Sequence, residues 1–169
     1  TDPYGKQSPM LKIVDSDASD DADGGFEGGG SNATAAINSK KKYRFIVFVK
    51  KTGVSGAIYF GPESWTSKIK KLDGTIEQSP WFADNTFSSG LNKWYMIVGY
   101  VYPDDYTGSG GEGGIYDCET GAKIATTTDY KWAEGVTSCW TRCILYGSTV
   151  IGNTAYMYGP RVELCNGLE

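Results

Sequence analysis

The chain has 169 residues and a mass of 18.3 kDa. A chain of this length suits one domain that buries roughly 70% of the surface its unfolded form exposes. Hydrophobic residues make up 40% and aromatics 14%, and 23 Gly stand against 6 Pro, a balance that fits a β-rich, loop-rich fold better than a helical bundle. The 16 Lys and Arg against 20 Asp and Glu leave a net charge of −4, which speaks against a global electrostatic grip on nucleic acid. There is no His, so the usual proton shuttle, the Ser/His and Cys/His nucleophile pairs and imidazole metal ligands are all excluded.

The first 39 residues form a regime of their own. Between Ile13 and Ser39 there are six acidic residues and no Lys or Arg, so the rest of the chain carries a net +2. Asp15 to Gly25 (DSDASDDADGG) is expected to be irregular, since Asp and Gly favour turns and neighbouring carboxylates repel one another. Tyr43 to Lys50 (YRFIVFVK) is apolar on both alternating faces and predicts a central strand covered on both sides. The Thr52–Gly56 turn then leads to a return strand over Ala57–Phe60, read as a hairpin. Short alternating pieces follow from Trp65 to Ile76, and Ser79–Gly90, which carries Pro80-Trp81-Phe82, is read as irregular.

Lys93–Tyr102 is the second strong strand, stopped by Pro103-Asp104-Asp105 and followed by a flexible Gly108–Gly114 loop. Ile115–Asp117 and Ala122–Ala125 flank a Glu119-Thr120-Gly121 turn, and Arg142–Tyr146 and Tyr156–Leu164 complete the set. Seven to nine short strands with turns every 8–12 residues predict a single all-β domain over residues 1–169, an antiparallel sandwich with almost no helix. The longest nearly continuous apolar stretch, Trp94–Tyr102, is far short of the roughly 20 residues a bilayer span requires, so membrane insertion is not expected. The chain opens on Thr1, read as a processed product, an excised module or an incomplete N-terminus.

Cys118, Cys139, Cys143 and Cys165 leave two readings open: buried free thiols, or an extracellular disulfide such as Cys118 with Cys139. Asn32-Ala33-Thr34 fits a glycosylation sequon, a triplet that also occurs by chance. The sharpest chemical feature is Ser19-x-Asp21-x-Asp23-Gly24, whose alternating oxygen ligands and trailing Gly suit Ca²⁺, a hard cation that takes 6–8 oxygens. It departs from an EF-hand, because Ser stands in the first position and Gly30 in the twelfth. Aromatics at loop positions come next: Trp81, Phe82, Trp65, Tyr106, Tyr130, Trp132 and Trp140. Sugar C–H faces stack on such rings, while Asp84, Asn85, Asp129 or Arg142 would take the hydroxyls. Trp81 is the foremost platform candidate and Trp132 the second; Trp94 is expected in the core. The lysines at 40–42, 50–51, 68, 70 and 71 suit either a grip on sulfated or uronic polysaccharide or solvated strand ends that discourage edge pairing. No carboxylate pair sits in an apolar frame that would raise its pKa, and there is no phosphate loop, nucleophile elbow or cofactor motif, so an enzyme is not expected.

Six stretches carry a resemblance: residues 21–26 (DADGGF), 43–51 (YRFIVFVKK), 92–103 (NKWYMIVGYVYP), 113–117 (GGIYD), 129–132 (DYKW) and 158–163 (YGPRVE). In this order they resemble a module of bacteriophage tail-fibre and receptor-binding proteins and of bacterial surface proteins. More loosely, they are similar to jelly-roll carbohydrate-binding modules with a galactose-binding-domain-like fold. The resemblance covers about residues 15–167, and Phe48 departs from it where the pattern usually has Trp. It implies a jelly roll, a structural Ca²⁺ between the N-terminal loop and the last strand with Glu163 as distant ligand, and display on a cell surface, outside a cell or on a virion. The expected function is non-catalytic binding of a polysaccharide or other glycan by an adhesin or receptor-binding domain, with homo-oligomers supplying several copies, trimers if a tail fibre. The alternative is a structural subunit of a virion or extracellular filament whose aromatics make protein contacts.

Overall fold

A computed structural model describes residues 1–28, 34–63, 68–88 and 90–166; Trp65, Gly30 and the sequon Asn lie outside them. Thirteen strands are formed and no helix is present among the described residues. They are β1 (Leu11–Val14), β2 (Ala22–Glu27), β3 (Ala35–Ala36), β4 (Tyr43–Lys51), β5 (Ala57–Glu63), β6 (Ile69–Lys70) and β7 (Ala83–Asn85) in the first half. β8 (Tyr95–Tyr102), β9 (Gly114–Asp117), β10 (Lys123–Ala125), β11 (Tyr130–Trp132), β12 (Ser138–Tyr146) and β13 (Thr154–Leu164) follow. The larger sheet runs β1-β13-β4-β8-β11-β6, with the β9–β10 hairpin also joined to β8; the smaller runs β2-β12-β5-β7, with β3 beside β12. All pairings are antiparallel except the short β11–β8 pair, and the two sheets pack face to face as an all-β sandwich.

β4 shows why the sandwich forms. Its odd positions Tyr43, Phe45, Val47 and Val49 enter the core between the sheets, while Ile46 and Phe48 join a second cluster with Trp94 and Val98 on the outer face. That outer cluster is roofed by residues 1–10, which the hydrophobic pattern did not single out. Tyr4 packs on Phe48 and Tyr158 at 5.8 and 6.5 Å between ring centroids, and the Trp94 indole donates to the Thr1 carbonyl at 3.1 Å. Buried Asp2 closes the arm on itself, accepting from the Tyr4 and Lys6 amides and the Ser8 hydroxyl.

Three expectations are corrected. β4 and β5 are not a hairpin: both edges of β4 are taken by β13 and β8, so the Thr52–Gly56 turn carries the chain across to the other sheet. The acidic segment is not irregular to its end, because Ala22–Glu27 pairs with the open edge of β12 and Phe26 packs against the core. Tertiary pairing overrides local preference here. The four cysteines are free; Cys139 lies between the sheets and Cys118 against the outer cluster, so the Cys118–Cys139 disulfide is not formed.

Lys51 ends the inward row of β4. It is buried, and its ammonium donates to the Gly56 and Val54 carbonyls, tying down the inter-sheet turn. Burial lowers its pKa to about 8. A base whose pKa falls on folding gives up its proton in the native state while the unfolded chain still holds one, so stability rises with pH above 8. The thiols work the other way: burial pushes Cys139 up to about 12 and Cys118 up to about 11 from 9.0, so stability falls once the unfolded thiols ionise. The melting temperature is therefore expected to rise between pH 8 and about 9 and to fall above it, and Lys51→Met is expected to abolish the rise. Thermal melts of both proteins across this range check it; an unchanged rise in the variant would assign the effect to another group.

Candidate functional site

The site begins with a local alternation. Between β6 and β7 the chain crosses the smaller sheet, where the Phe82 amide donates to the Phe60 carbonyl at 2.8 Å. Successive side chains in extended backbone point to opposite faces. Phe82 therefore enters the core, almost fully buried, and Trp81 turns to the outer face of the smaller sheet. Two glycines make room. A Cβ on Gly99 would stand 2.2 Å from the Phe82 ring, and one on Gly61 would stand 2.0 Å from the Pro80 carbonyl oxygen. The Tyr130 hydroxyl then holds the strap from the core side, donating to the Trp81 carbonyl at 2.8 Å.

On that outer face Trp81 meets residues of β5 and β12. The Arg142 guanidinium lies 3.8 Å from the centre of the Trp81 ring and pairs with Glu63 at 3.0 Å through Nη1. Tyr59 meets Trp81 edge to face at 5.3 Å between centroids and Tyr146 at 5.6 Å. Register places Ile144, Tyr59 and Asp84 side by side on three neighbouring strands, and Glu27, Arg142 and Gly61 in the row two residues away. Arg142 Nε and Nη2 are shielded from water and have no hydrogen-bond partner among the described residues. Leaving such donors unpaired costs about 1–3 kcal/mol each, more for a charged group.

Of the sequence-predicted sugar ligands, Trp81, Asp84 and Arg142 thus share one face. Phe82, Tyr130 and Trp132 do not: they are core residues, and the Trp132 indole donates to the Lys41 carbonyl at 3.2 Å. Asp129 is also buried, and its carboxylate accepts from the amides of Tyr100, Gly111 and Glu112, holding the Gly-rich loop against β8. With Tyr130 it lines a cleft of about 450 Å³ that includes Lys71, Glu77 and Thr128. Asn85 accepts from the Phe87 amide at 2.8 Å, shaping the turn after β7. Trp140 lies within β12 and is buried, and Tyr106 stacks on Tyr102 at 4.0 Å. Tyr59, Glu63 and Tyr146 were missed; the signal for Tyr59 was its place between the inward Ile58 and Phe60.

The predicted calcium ligands do not converge. Ser19 donates to Asp17 and Asp21, and Asp23 accepts from the Ser148 amide at 2.9 Å. Glu163 is held at the other end of β13 by the Arg44 fork, at 2.6 and 3.0 Å, and by Arg161 at 2.9 Å. It lies nine residues beyond the Thr154 that pairs with Val14, roughly 30 Å along an extended strand, and is not a ligand to this loop. No three His, Cys, Asp or Glu side chains among the described residues form a metal-binding group. The loop nonetheless keeps a buried carboxylate oxygen, Asp15 Oδ2, without a hydrogen-bond partner among the described residues, and Asn153 Oδ1 is in the same position. Asp23 is pushed above the usual carboxylate range by burial, then by the carboxylates of Asp15, Asp21 and Asp17, against the Ser148 amide. A buried carboxylate oxygen is a hard donor of the kind Ca²⁺ takes.

The lysine series is dispersed rather than pooled. Lys40 pairs with Asp104 at 2.7 Å, Lys42 with Glu112 at 2.6 Å and Lys71 with Glu77 at 3.4 Å, and Lys50 lies over the Trp94 and Tyr156 rings. Lys70, on edge strand β6, faces Lys131 across the pair, where like charges disfavour further strand pairing.

No protein-family model, curated protein or solved structure matches this chain.

Because the Gly61 Cβ would meet backbone rather than a movable side-chain tip, Gly61→Ala is expected to lift the Pro80–Trp81 strap and to destabilise the fold by about 1–3 kcal/mol. Urea denaturation followed by Trp fluorescence measures this, and a loss below a few tenths of a kcal/mol would mean that the strap adapts freely.

Proposed function

We propose that this is a non-catalytic carbohydrate-binding domain of adhesin or receptor-binding type, working outside the cell or on a virion. Its ligand surface is the outer face of the smaller sheet. The observation that carries the reading is the grouping of Trp81, Tyr59 and Tyr146 with Arg142, Glu63 and Asp84. Rings offer apolar stacking area to sugar C–H faces, and the charged groups donate to and accept from hydroxyls. The strand order supports the jelly-roll form of the fold: β1 lies beside β13 and β2 beside β12, the first-with-last nesting that two wound Greek keys produce. A shallow site of this kind binds weakly, so homo-oligomers, trimers in a tail fibre, would provide adhesion by avidity.

The test is a glycan and polysaccharide binding screen on the wild type and on Trp81→Ala. Binding is expected in the wild type and lost in the variant, with a melting temperature close to wild type because the half-buried ring lies outside the core between the sheets. Binding that survives Trp81→Ala would move the site elsewhere, and a blank screen with concentration-dependent self-association would favour the structural-subunit reading.

A Ca²⁺ bound at Asp15 in the acidic loop is the companion proposal, supported by the buried Asp15 Oδ2, which has no hydrogen-bond partner among the described residues. Ligand linkage then predicts that EDTA lowers the melting temperature by several degrees and that Asp15→Asn removes the difference. Identical melts with and without EDTA would dismiss the metal.

A further inference from the structure

We infer that the ligand of the Trp81 face is an uncharged sugar with adjacent hydroxyls, whose oxygens are gripped side by side by the empty edge of Arg142. This rests on the carbohydrate reading above. Nε and Nη2 lie on one edge of a guanidinium and point their N–H bonds in parallel, a fork made for two neighbouring acceptor oxygens. The chain uses this edge elsewhere on a single oxygen: Arg44 donates from both Nε and Nη2 to Glu163 Oε2, at 3.0 and 2.6 Å. In Arg142 the outer Nη1 is spent on Glu63, while Nε and Nη2 have no partner among the described residues.

A carboxylate and a pair of neighbouring hydroxyls both fit the fork, and the charge of the face decides between them. The five strands of the smaller sheet contain one cation, Arg142, against Asp23, Glu27, Glu63 and Asp84. Glu63 already neutralises Arg142, and Glu27 stands directly across from it. A uronate, sulfate or phosphate would meet this excess of negative charge. A hydroxyl is suited to both kinds of neighbour, since it accepts from the fork and donates its proton to a carboxylate. Both nitrogens are shielded from water and the indole lies over the guanidinium, so the sugar reaches them as the Trp81 ring shifts from the cation onto the sugar face. The lysines that would attract polyanions all belong to the other sheet and its loops, several of them in ion pairs.

The deciding experiment is affinity electrophoresis of the wild type against uncharged polysaccharides, polyuronates and sulfated polysaccharides at 50 and 500 mM NaCl (salt levels of the assay, roughly 14 and 4 Å in screening length). Retention is expected on uncharged polymers alone, unchanged by salt. Arg142→Lys, which keeps the charge but loses the fork, is expected to weaken that retention about tenfold. Salt-sensitive retention on polyuronates or sulfated polymers would overturn the inference and leave the glycan reading standing, as would undiminished binding by Arg142→Lys. Retention on no polymer would overturn both.

Discussion

Phe82 is pressed between the two sheets, its ring 5.2, 5.7 and 5.8 Å from those of Phe45, Phe60 and Tyr130 and filling the space that Gly99 leaves on β8. Full burial of such a ring is worth roughly 1.5–3 kcal/mol, and here it also acts as an anchor. With Phe82 locked inward, the residue before it has to face out. The Phe60 carbonyl and the Tyr130 hydroxyl hold both polar groups of the peptide unit that joins Trp81 to Phe82, so the outer position of Trp81 follows from core packing. The backbone of the candidate site is therefore fixed by the sandwich core, although Trp81 itself belongs to a connecting segment.

The two outer faces of the sandwich are built differently. On the larger sheet the apolar cluster around Phe48 and Trp94 is covered by the N-terminal arm, and the surrounding charges are matched: Arg44 with Glu163, Lys42 with Glu112, Lys93 with Asp117 and Glu119. On the smaller sheet the aromatic row of Trp81, Tyr59 and Tyr146 carries a guanidinium with two donors unmet. Buried polar groups are nearly always paired. Under the proposed function, a fork without a partner among the described residues, beside the half-buried Trp81 ring, is what a sugar on the smaller sheet would meet.

The acidity of the N-terminal third has a structural outlet as well. β2 turns the end of the acidic segment into a strand by pairing with β12, and the charges of Asp15, Asp17 and Asp21 are felt at Asp23. Burial first, and then the neighbouring carboxylates, raise the pKa of Asp23, and the Ser148 amide offsets part of the shift. Glu163, which family likeness nominated for this group, instead holds Arg44 and Arg161 together on the outer face of the larger sheet.

The all-β class and the positions of β4, β8, β9, β12 and β13 were legible in the sequence, because alternation and β-branched or aromatic content are local properties. Trp81, Asp84 and Arg142, nominated from the sequence for sugar-binding chemistry, fall on one face in the structure. What could not be read locally was direction. Trp81 and Phe82 are adjacent aromatics in a segment without a clear period, and only the opposing sheet, with its gap at Gly99, decides which one is buried. The same holds for Tyr130 and Trp132, loop aromatics by pattern and core by packing. Partner choice was equally hidden: β4 and β5 read as a hairpin because they are neighbours in sequence, yet β13 and β8 bury more of β4 by taking its edges. Composition and alternation settle what a strand is, whereas which face it shows to water depends on residues a hundred positions away that compete for the same hydrogen bonds and the same volume.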